Sequence, residues 1–317
     1  MSMKNFKEYS GMREVMVDTV IELAEENNNV VWMDADLAGA IGSKKFEEKF
    51  PKRYYNCGIA EANMVGVAAG LSAAGFRPFC HTFGCFASRR VFDQYFLSVG
   101  YAQQVVHMLG TDPGIEAESN GGTHMPFEDI GLMRQVPNIV IIEPSDLYSA
   151  YQLIKQIYQK DSPSYIRLPR KTNYLRYDDS TKVELGKGIE IESGEDIAIV
   201  ASGMHMVHEA EKAVAMLKEK NINATLIDLH TIKPLDKDII DKAAKRCKKM
   251  IVCENSRYTG GVGEMISNYI VQSNPIPMSF VNVGDVYGEV GDKAYLAEKF
   301  GLTAENIVKK VMELIKK

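Results

Sequence analysis

Residues 54–94 read YYNCGIAEANMVGVAAGLSAAGFRPFCHTFGCFASRRVFDQ, and their pattern decides the fold class. The short apolar run 54–59 reads as a strand with Glu61 at its end, and 62–74, rich in Gly and Ala, reads as a helix. A second strand, 77–82, ends at Phe83 and Phe86. One carboxylate and two aromatic rings therefore fall just beyond the ends of two strands. In α/β folds that carboxyl edge of the sheet is where ligands bind.

Phe83 and Phe86 are three residues apart, so on one helical turn they share a side and offer a flat platform to a planar ring. A carboxyl group held in such an apolar place resists ionisation. It can then share a proton with a ring nitrogen, which is what activation of an aminopyrimidine requires. A core aromatic pair beside a solvated glutamate fits the same spacing, and spacing alone favours it.

Toward the N-terminus, Val15, Val17, Val20, Ile21 and Ala24 recur with a helical period over 12–26, and Arg13 stands near the start. Residues 30–33 form a buried strand. Asp36 follows it, on its own terms an ordinary turn acid or helix cap. The lysines of 39–53 read as a solvated face.

Toward the C-terminus, 91–99 continues as helix and 103–110 is a strand, with His107 a packed core histidine. Residues 111–125 lack periodicity and form a long loop at a strand's carboxyl end, the place for active-site chemistry. His124 lies there behind Gly121-Gly122, whose missing Cβ atoms let backbone approach a ligand; a lone loop histidine is otherwise a surface residue. Helix 127–134, strand 139–142, helix 147–158 and strand 164–168 complete a doubly wound parallel sheet, and Arg170 ends the last strand on the ligand edge. After a polar, broken stretch, a second α/β unit begins at Asp196, with strands 197–201, 224–229, 250–253 and 278–283 and a last helix 304–315. The fold class is α/β, with two doubly wound domains expected at 1–178 and 194–317 and a linker at 179–193.

Composition narrows the function. The chain has 317 residues, 45% hydrophobic and 25% charged, and a net charge of −5, so no basic surface for nucleic acid is evident. No apolar run reaches membrane-spanning length and the first residues lack the apolar core of a signal peptide, which implies a cytoplasmic protein. The five cysteines read as buried free thiols in a reducing compartment. No C-x-x-C pair or H-E-x-x-H is present, so no zinc site made by this chain is expected.

Four blocks, in order, resemble the pyrimidine-binding domain of thiamine diphosphate enzymes, and of transketolase most closely. They are GIAEANM around Glu61; TFGCF from Thr82 with FDQ from Phe92; GGTHMPFED from Gly121 followed by RQVPN; and PSYIRLPR ending at Arg170. HTIKPLD from His230 and CENSRYTGGVGE from Cys253 resemble the C-terminal domain of the same enzymes. The resemblance implies that Glu61 binds N1′ of the cofactor's pyrimidine, that Phe83 and Phe86 hold the ring, and that Asp36 lies near the cofactor and a subunit contact. It implies that His124 touches the donor sugar and that Arg13 and Arg170 hold a substrate phosphate. It also implies a chiefly structural, dimer-forming C-terminal domain. His205, His208 and Glu254 therefore receive no catalytic role, and Gly260-Gly261 is not taken as a phosphate loop. Ala40, Thr111 and Asn120 depart from the family's Ser, His and acid, which predicts weaker phosphate anchoring and a shifted substrate range.

The G-D-G…N motif that holds Mg²⁺ and the cofactor's diphosphate is absent: Gly284-Asp285 and Gly291-Asp292 lack the residues that complete it. The expectation is a split enzyme in which this chain is the C-terminal subunit. It would transfer a two-carbon ketol unit between sugars, or their phosphates, with an N-terminal transketolase subunit supplying the Mg²⁺ and diphosphate site. Helix 62–74, with Val65, Gly66, Ala68, Ala69 and Gly70, is small and apolar around much of its surface. Since isologous pairing is the commonest oligomer form, the expectation is a homodimer of this chain within an α₂β₂ complex. The rival readings are the β subunit of a 2-oxo acid dehydrogenase complex and a non-catalytic binding or regulatory subunit on the same fold.

Overall fold

The computed structural model describes residues 5–316; the first four residues, part of the segment compared with a signal peptide, lie outside the described residues. Five-residue strands of unbroken apolar character, such as Ile197–Ala201, are buried on both faces, as parallel sheets covered by helices require. The first half contributes β1 (Val30–Asp34), β2 (Tyr54–Asn56), β3 (Arg77–Phe83), β4 (His107–Thr111), β5 (Val140–Ile142) and β6 (Ser164–Leu168). The second contributes β7 (Ile189–Glu192), β8 (Ile197–Ala201), β9 (Ala224–Asp228), β10 (Thr231–Lys233), β11 (Met250–Cys253) and β12 (Met278–Val281). The seven-stranded sheet runs β10-β5-β6-β4-β3-β1-β2 and the five-stranded sheet β12-β11-β8-β9-β7. All pairings are parallel except β10 on β5 and β7 on β9.

After β1 the chain moves to the edge strand β2, whereas after β3 it moves the other way to β4. The two connections diverge and leave a crevice at the carboxyl ends of β1 and β3. Helices Met12–Glu26 and Leu147–Tyr158 cover one face of this sheet, and helix Glu61–Ala73 covers the other. The segment after β3 winds with wide π turns at Phe86–Arg90 and Tyr95–Tyr101 rather than as regular α-helix.

Several boundaries differ from expectation for local reasons. Strand β2 stops at Asn56, because the Asn56 side chain accepts from the N–H of Asp36 and Gly58, and Gly58 takes a φ of 67°. Glu61 is itself the first residue of its helix. Strand β4 begins at His107, after Gln103 turns the chain at a φ of 55°. Strand β10 lies inside HTIKPLD, where the sequence pattern predicts no strand.

That strand joins the halves: Thr231 and Lys233 pair with Ile142 and Ile141, so the second half closes the first sheet's edge. One apolar cluster runs through both halves, with Met33, Cys80 and Ile141 packed in the same core as Val200, Ile227 and Ile232. Arg167 on β6 is fully buried. It donates to Asp129 at 2.8 Å, to Glu143, and across to the Asn255 carbonyl at 2.7 Å. No described helix is long and apolar enough to cross a membrane, and all five cysteines are free, four of them buried.

Candidate active site

Glu61 is 3% exposed at the N-terminus of its helix, where the backbone dipole favours a negative charge. Its surroundings are not wholly apolar as expected. Arg90 Nη1 donates to both carboxylate oxygens, at 2.8 and 2.9 Å, and the same guanidinium lies 4.1 Å over the Phe86 ring. The Phe86 and Phe83 rings stand 6.4 Å apart at 58°, two inclined walls rather than a flat platform.

His124 presents its edge to both walls, 5.8 Å from Phe83 and 5.2 Å from Phe86. Glycines make this possible by approach to protein rather than to ligand. A Cβ on Gly84 would stand 2.7 Å from Pro126, and one on Gly122 only 2.1 Å from the Gly288 carbonyl oxygen. The His124 loop is thus pressed between the Phe83–Phe86 turn and the C-terminal half. Asn255 clamps its start, accepting from Ile115 N–H at 3.1 Å and donating to the Pro113 carbonyl at 3.0 Å.

On the far side of Phe83 stands Arg170, its guanidinium 4.9 Å from the ring centre. Arg170 Nε donates to Asp112 at 2.7 Å, and Arg13 and Arg170 both point a terminal nitrogen at the Ala40 carbonyl, at 3.2 and 3.5 Å. The two arginines assigned to one phosphate therefore converge. Through the Arg90 guanidinium, Glu61 joins a run of contacts that passes from Phe86 through His124 and Phe83 to Arg170. Asp36 stands apart: it is exposed, with a φ of 60°, and its hydrogen bonds go to Asn56.

Beneath the crevice lies a chain, fully buried except for the half-buried Tyr54, that sequence reasoning missed. Asp34 accepts from Trp32 Nε1 at 2.9 Å, from Tyr54 at 3.1 Å and from Ser43, and meets His81 Nδ1 at 2.8 Å. His81 Nε2 meets the Thr111 hydroxyl at 3.2 Å. This chain ties together the ends of β1, β3 and β4. It also explains Thr111: the hydroxyl faces the core rather than a substrate. Arg90 and Asp112 were missed too. The only signal for Arg90 is a basic pair one turn after Phe86, which spacing alone assigns to solvent.

Glu254 caps helix Val262–Ser273, accepting from Val262 N–H at 2.7 Å and Gly263 N–H at 3.0 Å, so a carboxylate already fills the anion place behind Gly260-Gly261. Among the described residues no group of three or more His, Cys, Asp or Glu could hold a metal ion.

The transketolase pyrimidine-binding domain model matches residues 9–174, and the transketolase C-terminal domain model matches residues 186–307. A 6-deoxy-6-sulfo-D-fructose transketolase subunit, SqwH, of Clostridium sp. (strain MSTE9) is 42% identical over 96% of this chain and 94% of its own length. A subunit of the apulose-4-phosphate transketolase of Phocaeicola vulgatus is 31% identical over 96% and 97%. A solved split-gene transketolase, described as an inactive β4 tetramer, superimposes with a TM-score of 0.90 at 33% identity, covering 97% of this chain and 99% of that one. On these matches, the chain belongs to the transketolase family.

Proposed function

We propose that this chain is the C-terminal subunit of a cytoplasmic two-chain transketolase that moves a two-carbon ketol unit from a ketose with an anionic terminus to an aldose. The observation that carries this reading is the run of contacts from Glu61, through the Arg90 guanidinium, to Phe86, His124, Phe83 and Arg170, which we read as a ring-binding end beside an anion-binding end. The ring end fits thiamine diphosphate: the place between Glu61 and Phe86 already accepts a planar, cationic N–H donor, the Arg90 guanidinium. When bound, that cofactor supplies an acidic carbon and an electron sink for breaking a bond beside a ketone.

The chain's own residues do the rest. The Glu61 carboxylate holds the proton at the pyrimidine nitrogen. Phe83 and Phe86 fix the ring, and His124, edge-on to both rings, hydrogen-bonds the sugar oxygens. Arg170 is gripped by Asp112 along one edge, so it meets an anion end-on through Nη1, together with Arg13. That weaker grip suits any tetrahedral oxyanion, phosphate or sulfonate. The names of the two relatives, one acting on a sulfo-sugar and one on a sugar phosphate, are in keeping with it.

A partner chain bearing the G-D-G…N motif brings Mg²⁺ and the diphosphate site, and this chain pairs with itself inside an α₂β₂ assembly. The inactive β4 assembly of the solved relative supports dependence on a partner. The test is reconstitution with that partner and assay with xylulose 5-phosphate, 6-deoxy-6-sulfo-D-fructose and unphosphorylated ketoses. Ketol transfer that requires both chains is expected. Reductive acylation of lipoamide in its place would overturn the reading.

A further inference from the structure

We propose that Arg90 is the built-in occupant of the pyrimidine subsite, and that thiamine diphosphate binds by displacing its guanidinium. The proposal rests on the reading of Glu61, Phe83 and Phe86 as that subsite. A guanidinium and an aminopyrimidine share three features: a flat π face, N–H donors in the plane, and a fit to one carboxylate. Arg90 uses all three, with both Glu61 oxygens and the Phe86 face engaged at once. Glu61 is 3% exposed, so it has room for one such partner. Arg90 and the ring therefore compete for the same atoms.

The arrangement answers a physical problem. A buried carboxylate without a partner is costly, and a site made to hold a cofactor ring has nothing else to offer Glu61. Arg90 supplies the partner and can leave. Its side chain is 46% exposed, and among the described residues its hydrogen bonds go to Glu61 alone. It also ends the wide-turn segment, where Val91 takes up non-helical angles. Arg89 beside it behaves differently: it is fixed by Glu128 at 3.0 Å and by the Thr123 carbonyl at 3.1 Å. An ordinary surface ion pair would join two exposed groups. This one reaches from solvent into the site.

Removing the occupant therefore has two effects of opposite sign. The ligand-free protein loses stability, because Glu61 is left alone, and the cofactor binds more tightly, because nothing has to be displaced. The experiment titrates thiamine diphosphate with Mg²⁺ into this chain reconstituted with its partner, by calorimetry, for wild type, Arg90→Met and Arg90→Lys. Thermal melts are recorded with and without cofactor. Arg90→Met should lower the ligand-free Tm and tighten Kd about tenfold, equivalent to ~1.4 kcal/mol. Arg90→Lys, which keeps the charge without the plane, should fall between. A Kd for Arg90→Met within twofold of wild type, or weaker, overturns the proposal: Arg90 would then be a plain structural ion pair or a ligand of the bound cofactor. Glu61→Gln in the Arg90→Met background serves as the control on the underlying reading, since no competitor is left there to be released. If the double variant binds cofactor as tightly as Arg90→Met alone, the pyrimidine subsite itself is misplaced.

Discussion

Two carboxylates in this crevice have different partners. Glu61 meets a guanidinium that can swing away; Asp112, 3% exposed at a φ of 57°, is held by Arg170 through both backbone and side chain. Glu61→Ala should leave the circular dichroism spectrum unchanged and lower kcat by about 10²–10⁴-fold, the usual worth of a positioned acid–base group. A folded variant with most of its kcat would refute the role. Arg170→Ala should raise KM for anionic ketoses by one to two orders of magnitude if one charge-assisted contact contributes ~1.5–3 kcal/mol. It also strands Asp112, so Tm should fall. Arg170→Ala with Asp112→Ala separates the two tasks: the double variant should regain Tm while KM stays high. Recovery of both would mean that Arg170 only braces Asp112.

At the scale of elements, the His124 loop and helix Glu61–Ala73 use glycine for contrasting reasons. Gly122→Ala forces a Cβ against the Gly288 backbone, so the loop must shift and His124 with it. At least a tenfold fall in kcat/KM is expected, with a loss of about 1–3 kcal/mol in stability, as for overpacking elsewhere. On the helix, Gly66 and Gly70 face open space within this chain, where alanine would gain about 0.5–1 kcal/mol. If that face meets a second copy, Gly66→Ala should instead weaken the assembly seen by light scattering; a more stable variant with unchanged assembly would remove the helix from the interface. How much of this is legible in the sequence depends on range. Helix Leu147–Tyr158 can be read to its ends because its apolar period is regular and Asp146 caps it. Strand Met250–Cys253 is equally plain, being an unbroken apolar run, while Ser164–Leu168 is legible despite the Arg167 within it. The convergence of Glu61, Phe83, Phe86, His124 and Arg170 comes from the family resemblance and not from periodicity. Arg90 and β10 are not legible, since the first meets its partner 29 residues away and the second pairs with a strand far back in the chain. Neither contact leaves a local pattern.

Across the whole molecule the halves share a sheet edge, an apolar cluster and the buried Arg167. They should therefore unfold together: far- and near-ultraviolet signals should trace one urea transition, and two separated transitions would show independent domains. Acid sensitivity follows from buried imidazoles. Burial pushes His107 down to about 3 and His230 to about 4, and each ring has one nitrogen without a partner. The unfolded chain takes up their protons first, so this contribution is whole above the unfolded value near 6.5 and is lost as pH falls toward the folded values. Asp228 and Glu254, raised to about 7 by burial, act in the opposite sense, their contribution being lost as pH rises through 7. Comparison of wild type with His107→Gln cancels those carboxylates. Between about pH 7.5 and about pH 5 the wild type should lose roughly 2 kcal/mol more than the variant in urea titrations. Equal losses would show that His107 is charged at little cost.

Strand β10 has a further consequence, in time rather than space. The last parallel strand of the first sheet ends at Leu168, but the strand that closes its edge ends at Lys233. A ribosome adding about 5–20 residues per second needs roughly 3–13 seconds to cover that interval. Throughout it the nascent chain carries β5 as an open edge, a template for pairing with a neighbouring copy on the same message. Slow decoding between those two points should therefore lower the yield of soluble protein more than the same delay placed after Lys233.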